Sequence, residues 1–282
     1  GGMSLVALSA ALDVTWESEL RGHVLLTDAW RIGAGINGGL LMALATTTAA
    51  RWSPGGQEHP IAWSSHFHSA AQEGPTVVLV EPLRAGRSVS AVSVRLLQEE
   101  TVRVSTLVTL GDLGQLGDRV YTSPTPPPMP PPEQCIRADR SAPSAQEVAI
   151  LDRIDLRIDP ATALWALGQP SGEGRMRSWI RLSDGEVGGV AAVPFFLDAM
   201  PPVSFDLGVP GWAPTLEFTG YLRALPPESG WLRLALSAST VVGGLLEEDA
   251  TLWDDSGRVI AQSRQLAGIR MPQQAPRSGG VA

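Results

Sequence analysis

The sequence predicts an α+β protein made of two similar halves, each an antiparallel sheet wrapped around one central helix. Three observations lead there: a proline run that divides the chain, a Gly-Gly pair opening an apolar segment in each half, and β-rich runs after each segment. The divider is TSPTPPPMPPP at residues 122–132, with seven prolines in eleven residues. Proline fixes φ and lacks an N–H, so this stretch should be an extended, semi-rigid spacer. The expected domains are 1–118, a linker 119–148, and 149–282.

In the first half Gly38-Gly39 open LLMALATTTAARW; in the second Gly188-Gly189 open VAAVPFFLDAM, 150 residues later. Both segments read as helices apolar on most faces, which must be covered by other elements. Strands are expected at 61–68, 76–84, 89–98 and 101–110, and again at 214–225, 231–242, 245–254 and 259–270. Period-two alternation in VSAVSVRL and TVRVSTLVTL supports them. Turns fall at Arg84–Arg87, at Glu99-Glu100 and at Asp254–Gly257. Short connections demand antiparallel neighbours, so each half reads as a helix followed by a four-stranded meander. One sheet around one helix is a hotdog, and two in succession make a tandem (double) hotdog.

The net charge of −8 offers no attraction for a phosphate backbone, so no nucleic-acid partner is expected. All 21 basic residues are Arg, which removes lysine Schiff-base chemistry. The single cysteine, Cys135, allows no internal disulfide and falls after the proline run, a poor place for a nucleophile. No apolar stretch reaches the ~18 residues of a membrane span. The run Leu5–Leu12 lacks a basic lead-in and reads as a short amphipathic helix, so a cytoplasmic location is expected.

Gly33-Ala34-Gly35-Ile36-Asn37-Gly38 matches the dinucleotide fingerprint G-x-G-x-x-G. That motif needs a strand before it and a βαβ crossover after it, and the pattern here supplies neither. No G-x-S-x-G nucleophile motif occurs. His66 and His68 would share a strand face, a possible start of a zinc site, but no patterned acid joins them; no metal is expected.

The helix of the second half holds one charged residue, Asp198, set among Phe195, Phe196, Leu197 and Met200, with Pro201-Pro202 as the expected stop. The last turn disfavours a negative charge and apolar neighbours add a desolvation cost. A carboxylate kept there despite both suggests a general base facing a pocket.

This arrangement resembles the type II acyl-CoA thioesterases, a double-hotdog family, over nearly the whole chain outside the linker. The likeness runs through Asn37-Gly38-Gly39 and its helix, the strand bearing His66, and LRAGRSVS at 83–90. The resemblance implies that Asp198 in FLDAM, Thr215 in APTLEF and Gln265 in AQSRQLAG hold and activate a hydrolytic water, with Gln262 a rival to Gln265. It further implies an oxyanion hole at the Gly39 N–H, substrate contacts at Gly38, Gly39 and His66, and no cofactor beyond the coenzyme A or acyl-carrier thioester that is substrate. The alternative is a catalytically silent relative that binds acyl-CoA or lipid. Exposed sheet edges point to a homodimer or higher homo-oligomer.

Overall fold

In the computed structural model, residues 6–117 and 121–270 are described. α1 (Leu8–Ala11) leads into the hairpin β1 (Thr15–Ser18) and β2 (Arg21–Leu26). A 3-10 turn at Asp28–Trp30 and the two-residue strands β3 (Arg31–Ile32) and β4 (Gly35–Ile36) carry the chain to α2 (Gly38–Arg51). Then follow β5 (His59–Phe67), β6 (Gly74–Arg84), β7 (Ser90–Gln98) and β8 (Thr101–Gly111). The second half contains β9 (Ile136–Arg137), β10 (Ile154–Ile158), β11 (Arg175–Leu182), α3 (Gly189–Leu197), β12 (Thr215–Leu222), β13 (Leu232–Ser237), β14 (Val241–Val242), β15 (Leu245–Trp253) and β16 (Val259–Gly268).

All but β3 and β4 join one antiparallel sheet, in the order β1-β2-β6-β7-β8-β5-β12-β16-β15-β13-β11-β10-β9, with β14 beside β15. The order is a duplication. From the seam outward the first half runs β5-β8-β7-β6-β2 and the second runs β12-β16-β15-β13-β11. The expected simple meander is corrected in one respect. The strand after each helix does not pair with its successor but lies beside the last strand of its half. The link from Phe67 to Gly74 is long enough for that crossing, unlike the tight turn at Glu99-Glu100, where both residues take positive φ.

The halves meet where β5 pairs with β12, from Ala62↔Tyr221 to His66↔Glu217. Trp63 is buried at this seam and its indole lies over Gly220, its cross-strand partner. Pro60 sits in β5 without harm, because its missing N–H precedes the first residue paired to β12.

α2 and α3 pack on each other inside the curved sheet. Leu40 through Ala45 are all at most 2% exposed, which explains an apolar sequence with no polar stripe. Trp30 packs edge-on to Phe195 with ring centroids 5.1 Å apart. One cluster of buried side chains spans both halves. The residue 150 positions before Asp198 is Thr48, buried on α2.

The proline run is no free spacer. Its carbonyls are pinned to the second half: the Trp179 indole N–H donates to Pro130 O at 2.8 Å, and Arg233 donates to Pro127 O at 3.4 Å. A chain without N–H groups keeps its carbonyls, and two tryptophan- and arginine-bearing strands supply the donors. No helix among the described residues is long and apolar enough to cross a membrane.

Candidate active site

Asp198 caps the C-terminus of α3, one residue past its last turn. The helix ends there because its terminal N–H groups turn inward: Asp198 N–H bonds Phe195 O and Ala199 N–H bonds Phe196 O. The stop therefore comes before the proline pair expected to cause it. Asn37 N-caps α2 through its side-chain oxygen on Leu40 N–H at 3.0 Å, and its amide nitrogen donates to Asp198 O at 3.1 Å. A single buried side chain thus joins the start of one helix to the end of the other.

That join needs glycine on α2. A Cβ at Gly39 would sit 2.9 Å from Asn37 Oδ1, 3.0 Å from Phe195 Cα and 3.1 Å from Asp198 Cβ. A Cβ at Gly38 would lie 3.1 Å from Asp198 Oδ2 and from the Phe67 ring. We expect Gly39→Ala to push the two helices apart, lowering stability by about 1–3 kcal/mol and turnover by more than that loss alone explains. A melting temperature and activity both within error of the parent would contradict this.

Gln265 lies on the inward face of β16, 6% exposed, paired with Phe218 and with Glu248. Gln262 lies on the opposite face of the strand, with Arg264 and Leu266. Thr215 reaches Gln265 only because β12 is bulged. Between Thr215 and Glu217 the strand advances two residues while β16 advances one, leaving Leu216 extra and exposed. The bulge restores Thr215 to the inner face, where its hydroxyl donates to Gln265 Oε1 at 2.6 Å.

Asp198 accepts from the Gln265 side chain and from Gly39 N–H. Burial, opposed by those two bonds, pushes its carboxyl up to about 7. The Gly39 N–H thus lies beside Asp198 and holds its carboxyl down against the effect of burial. Gly38 and Gly39 are at the site; His66 is not. It lies on the outer, exposed side of β5, with Glu217 and Ser105 as cross-strand partners, and its neighbour Phe67 points inward instead. Among the described residues no three His, Cys, Asp or Glu side chains converge as a metal site.

Glu248 was not singled out in the sequence. It stands on the inner face of β15 between buried Leu246 and Ala250. Its Oε2 accepts from Gln265 Nε2 at 2.7 Å and its Oε1 from Val203 N–H at 3.2 Å. Burial first, and the Asp198 charge second, push it to about 8. The signal was available: in Leu246-Glu248-Ala250-Leu252 an acid takes a core place in the alternation.

Residues 26–111 match the model of the acyl-CoA thioesterase N-terminal domain and residues 132–269 that of the C-terminal domain. The chain belongs to the acyl-CoA thioesterase family. It is 30% identical over 278 residues to an uncharacterized protein of Mycobacterium tuberculosis, covering 90% of each chain. A solved structure from Thermobifida fusca YX, designated thioesterase II, is 31% identical with a TM-score of 0.85, covering 94% of this chain and 97% of that one. A hotdog-fold protein of unknown function from Alicyclobacillus acidocaldarius superimposes with a TM-score of 0.82 at 20% identity, covering 94% and 98%, a likeness of fold. Within this thioesterase family, the chain here has the hotdog fold, in a sheet-dominated molecule with few helices.

Proposed function

We propose that this family member is a thioester hydrolase, cleaving fatty-acyl-CoA or a related acyl thioester with a water activated by Asp198. The observation that carries the reading is the hydrogen-bonded chain Thr215–Gln265–Asp198, assembled at the point where the two central helices meet. Asp198 removes a proton from the water as it attacks the thioester carbonyl. Thr215 and Gln265 set the position of that water and of the carboxylate. The tetrahedral intermediate collapses by breaking the C–S bond, and the departing sulfur takes the proton held by Asp198, leaving a carboxylic acid and a thiol and restoring the base. The family match and the Thermobifida structure support this chemistry. The repeated strand order supports a tandem double hotdog.

Thiol release from acyl-CoAs of increasing chain length tests the proposal. Turnover with a chain-length optimum is expected; binding without turnover across the series would leave an acyl-CoA-binding protein instead. A base must be ionised to act, so kcat/KM should rise with pH through a midpoint near 7 and level off above it. A profile flat from pH 5 to 9 would exclude Asp198 as the base.

A further inference from the structure

Every hydrogen-bonding atom of the Gln265 amide is committed. Oε1 accepts from the Thr215 hydroxyl, and Nε2 donates to Glu248 and to Asp198. Glu248 in turn offers one oxygen to Gln265 and the other to Val203 N–H. An ionised carboxylate has two acceptors and no donor, whereas an amide presents one acceptor and one donor group; Glu248, held up to about 8 by burial and by the Asp198 charge, takes this form above that pH. With an N–H of Val203 on one side, the other side of residue 248 must accept from Gln265, so the Gln265 nitrogen has to face it. Its oxygen then faces Thr215, and the Thr215 hydrogen is used inward. What remains on Thr215, toward the site, is lone pairs.

We propose that Glu248 is a positioning residue that fixes the amide polarity of Gln265, and thereby makes the Thr215 hydroxyl an acceptor toward the reacting water. The identity of that water rests on the thioester-hydrolysis reading above. A water that gives one hydrogen to Asp198 and the other to Thr215 has its oxygen lone pair free for the carbonyl carbon. If Thr215 donated to the water, it would engage that lone pair and blunt the nucleophile. Glu248 touches neither water nor substrate in this scheme; it acts across two hydrogen bonds.

Glu248→Gln, compared with the parent at pH 9 where Glu248 is ionised, tests this with almost no change of shape. Gln at 248 can satisfy Val203 N–H with its oxygen only by turning its NH2 toward Gln265. That forces the Gln265 amide to rotate, and the Thr215 hydrogen is released toward the site. The expected result is a fall in kcat of roughly 10–100-fold, with KM within about twofold and the melting temperature undiminished. In a Thr215→Val background the same substitution should cost kcat less than about twofold, because the hydroxyl whose direction Glu248 sets is gone. Equal losses in both backgrounds would overturn the proposal. A second measurement does not depend on the reaction. In 15N-labelled protein the Gln265 side-chain amide protons, identified by their loss in Gln265→Glu, should exchange slowly with solvent, and should lose that protection in Glu248→Gln. Unchanged protection would overturn the proposal even if turnover fell. If the parent protein cleaves no thioester, the hydrolase reading fails by itself, and the amide exchange alone decides whether Glu248 locks Gln265.

Discussion

Asp198→Asn should abolish turnover and at the same time make the protein harder to melt at pH 8. Removing a general base costs about 10²–10⁴-fold in rate, and the loss here should sit at the upper end because the neighbouring carboxyl, Glu248, is already engaged by Gln265 and by Val203 N–H. The stability effect has the opposite sign. In the fold the Asp198 carboxyl is raised to about 7 by burial, whereas in the unfolded chain it ionises near its ordinary value of 3.8. The folded state therefore holds a proton that the unfolded state has already released. The stabilising contribution of that proton is complete below pH ~4 and is lost as pH rises through about 7. Asparagine never ionises and keeps the contribution at all pH values. Three pH units correspond to ~4 kcal/mol; the bonds from Gln265 and Gly39 that asparagine satisfies less well should roughly halve it. A gain of about 2 kcal/mol corresponds to a melting point raised by ~4–8 °C at pH 8, with no gain at pH 4. An inactive variant with the parent's melting point at both pH values would refute the buried-carboxylate account of this position.

Gly220→Ala should be among the most damaging single-methyl additions in the molecule. The added carbon would fall inside the Trp63 indole, which is buried and crosses the seam between the halves. Neither partner can yield. The indole is packed into the core, and the β12 backbone is held by β5 on one side and β16 on the other. Overpacking usually costs about 1–3 kcal/mol, and the rigid ring places this case at ~3 kcal/mol, a melting temperature lowered by roughly 6–12 °C. Scanning calorimetry would measure it. Combining Gly220→Ala with Trp63→Leu should cost less than the two changes added, since the smaller side chain makes room for the methyl. Strict additivity would show that the clash is relieved elsewhere.

The contrast between these two positions marks what a sequence can reveal. The helices and long strands were legible because apolar runs and period-two alternation are local properties: β7 and β8 fall within one residue of their expected limits. The fault lines are equally physical. The stretch expected as one strand over 231–242 breaks after Ser237, where Ala238 N–H is taken by Gly174 O from another part of the chain. The pairing of β5 with β8 and β12 depends on a crossover whose destination no local pattern states. At the site, Asp198 was visible as a charge out of place, and Thr215 and Gln265 through a family likeness. The bulge that aims Thr215, the nearness of the Gly39 N–H to a carboxylate, and the contact of Glu248 with Gln265 are meetings of distant segments. His66 illustrates the same limit at the scale of one residue: a slip of one position along a strand exchanges the inner face for the outer.

Thr48, 150 residues before Asp198 on the helix of the other half, has a consequence for stoichiometry. Two identical subunits related by a two-fold axis must carry every residue twice, so an acid at this position would appear at both ends of the helix pair. Joined in one chain, the copies are free to diverge. One helix carries the acid; the other has a core threonine and contributes its amino-terminal glycines. On the proposed hydrolase reading there is one reaction centre per chain, with each half answerable for a different part of it. A change in the first half alters the cradle of the base while sparing the base itself, a separation of roles that a symmetric pair of subunits cannot have.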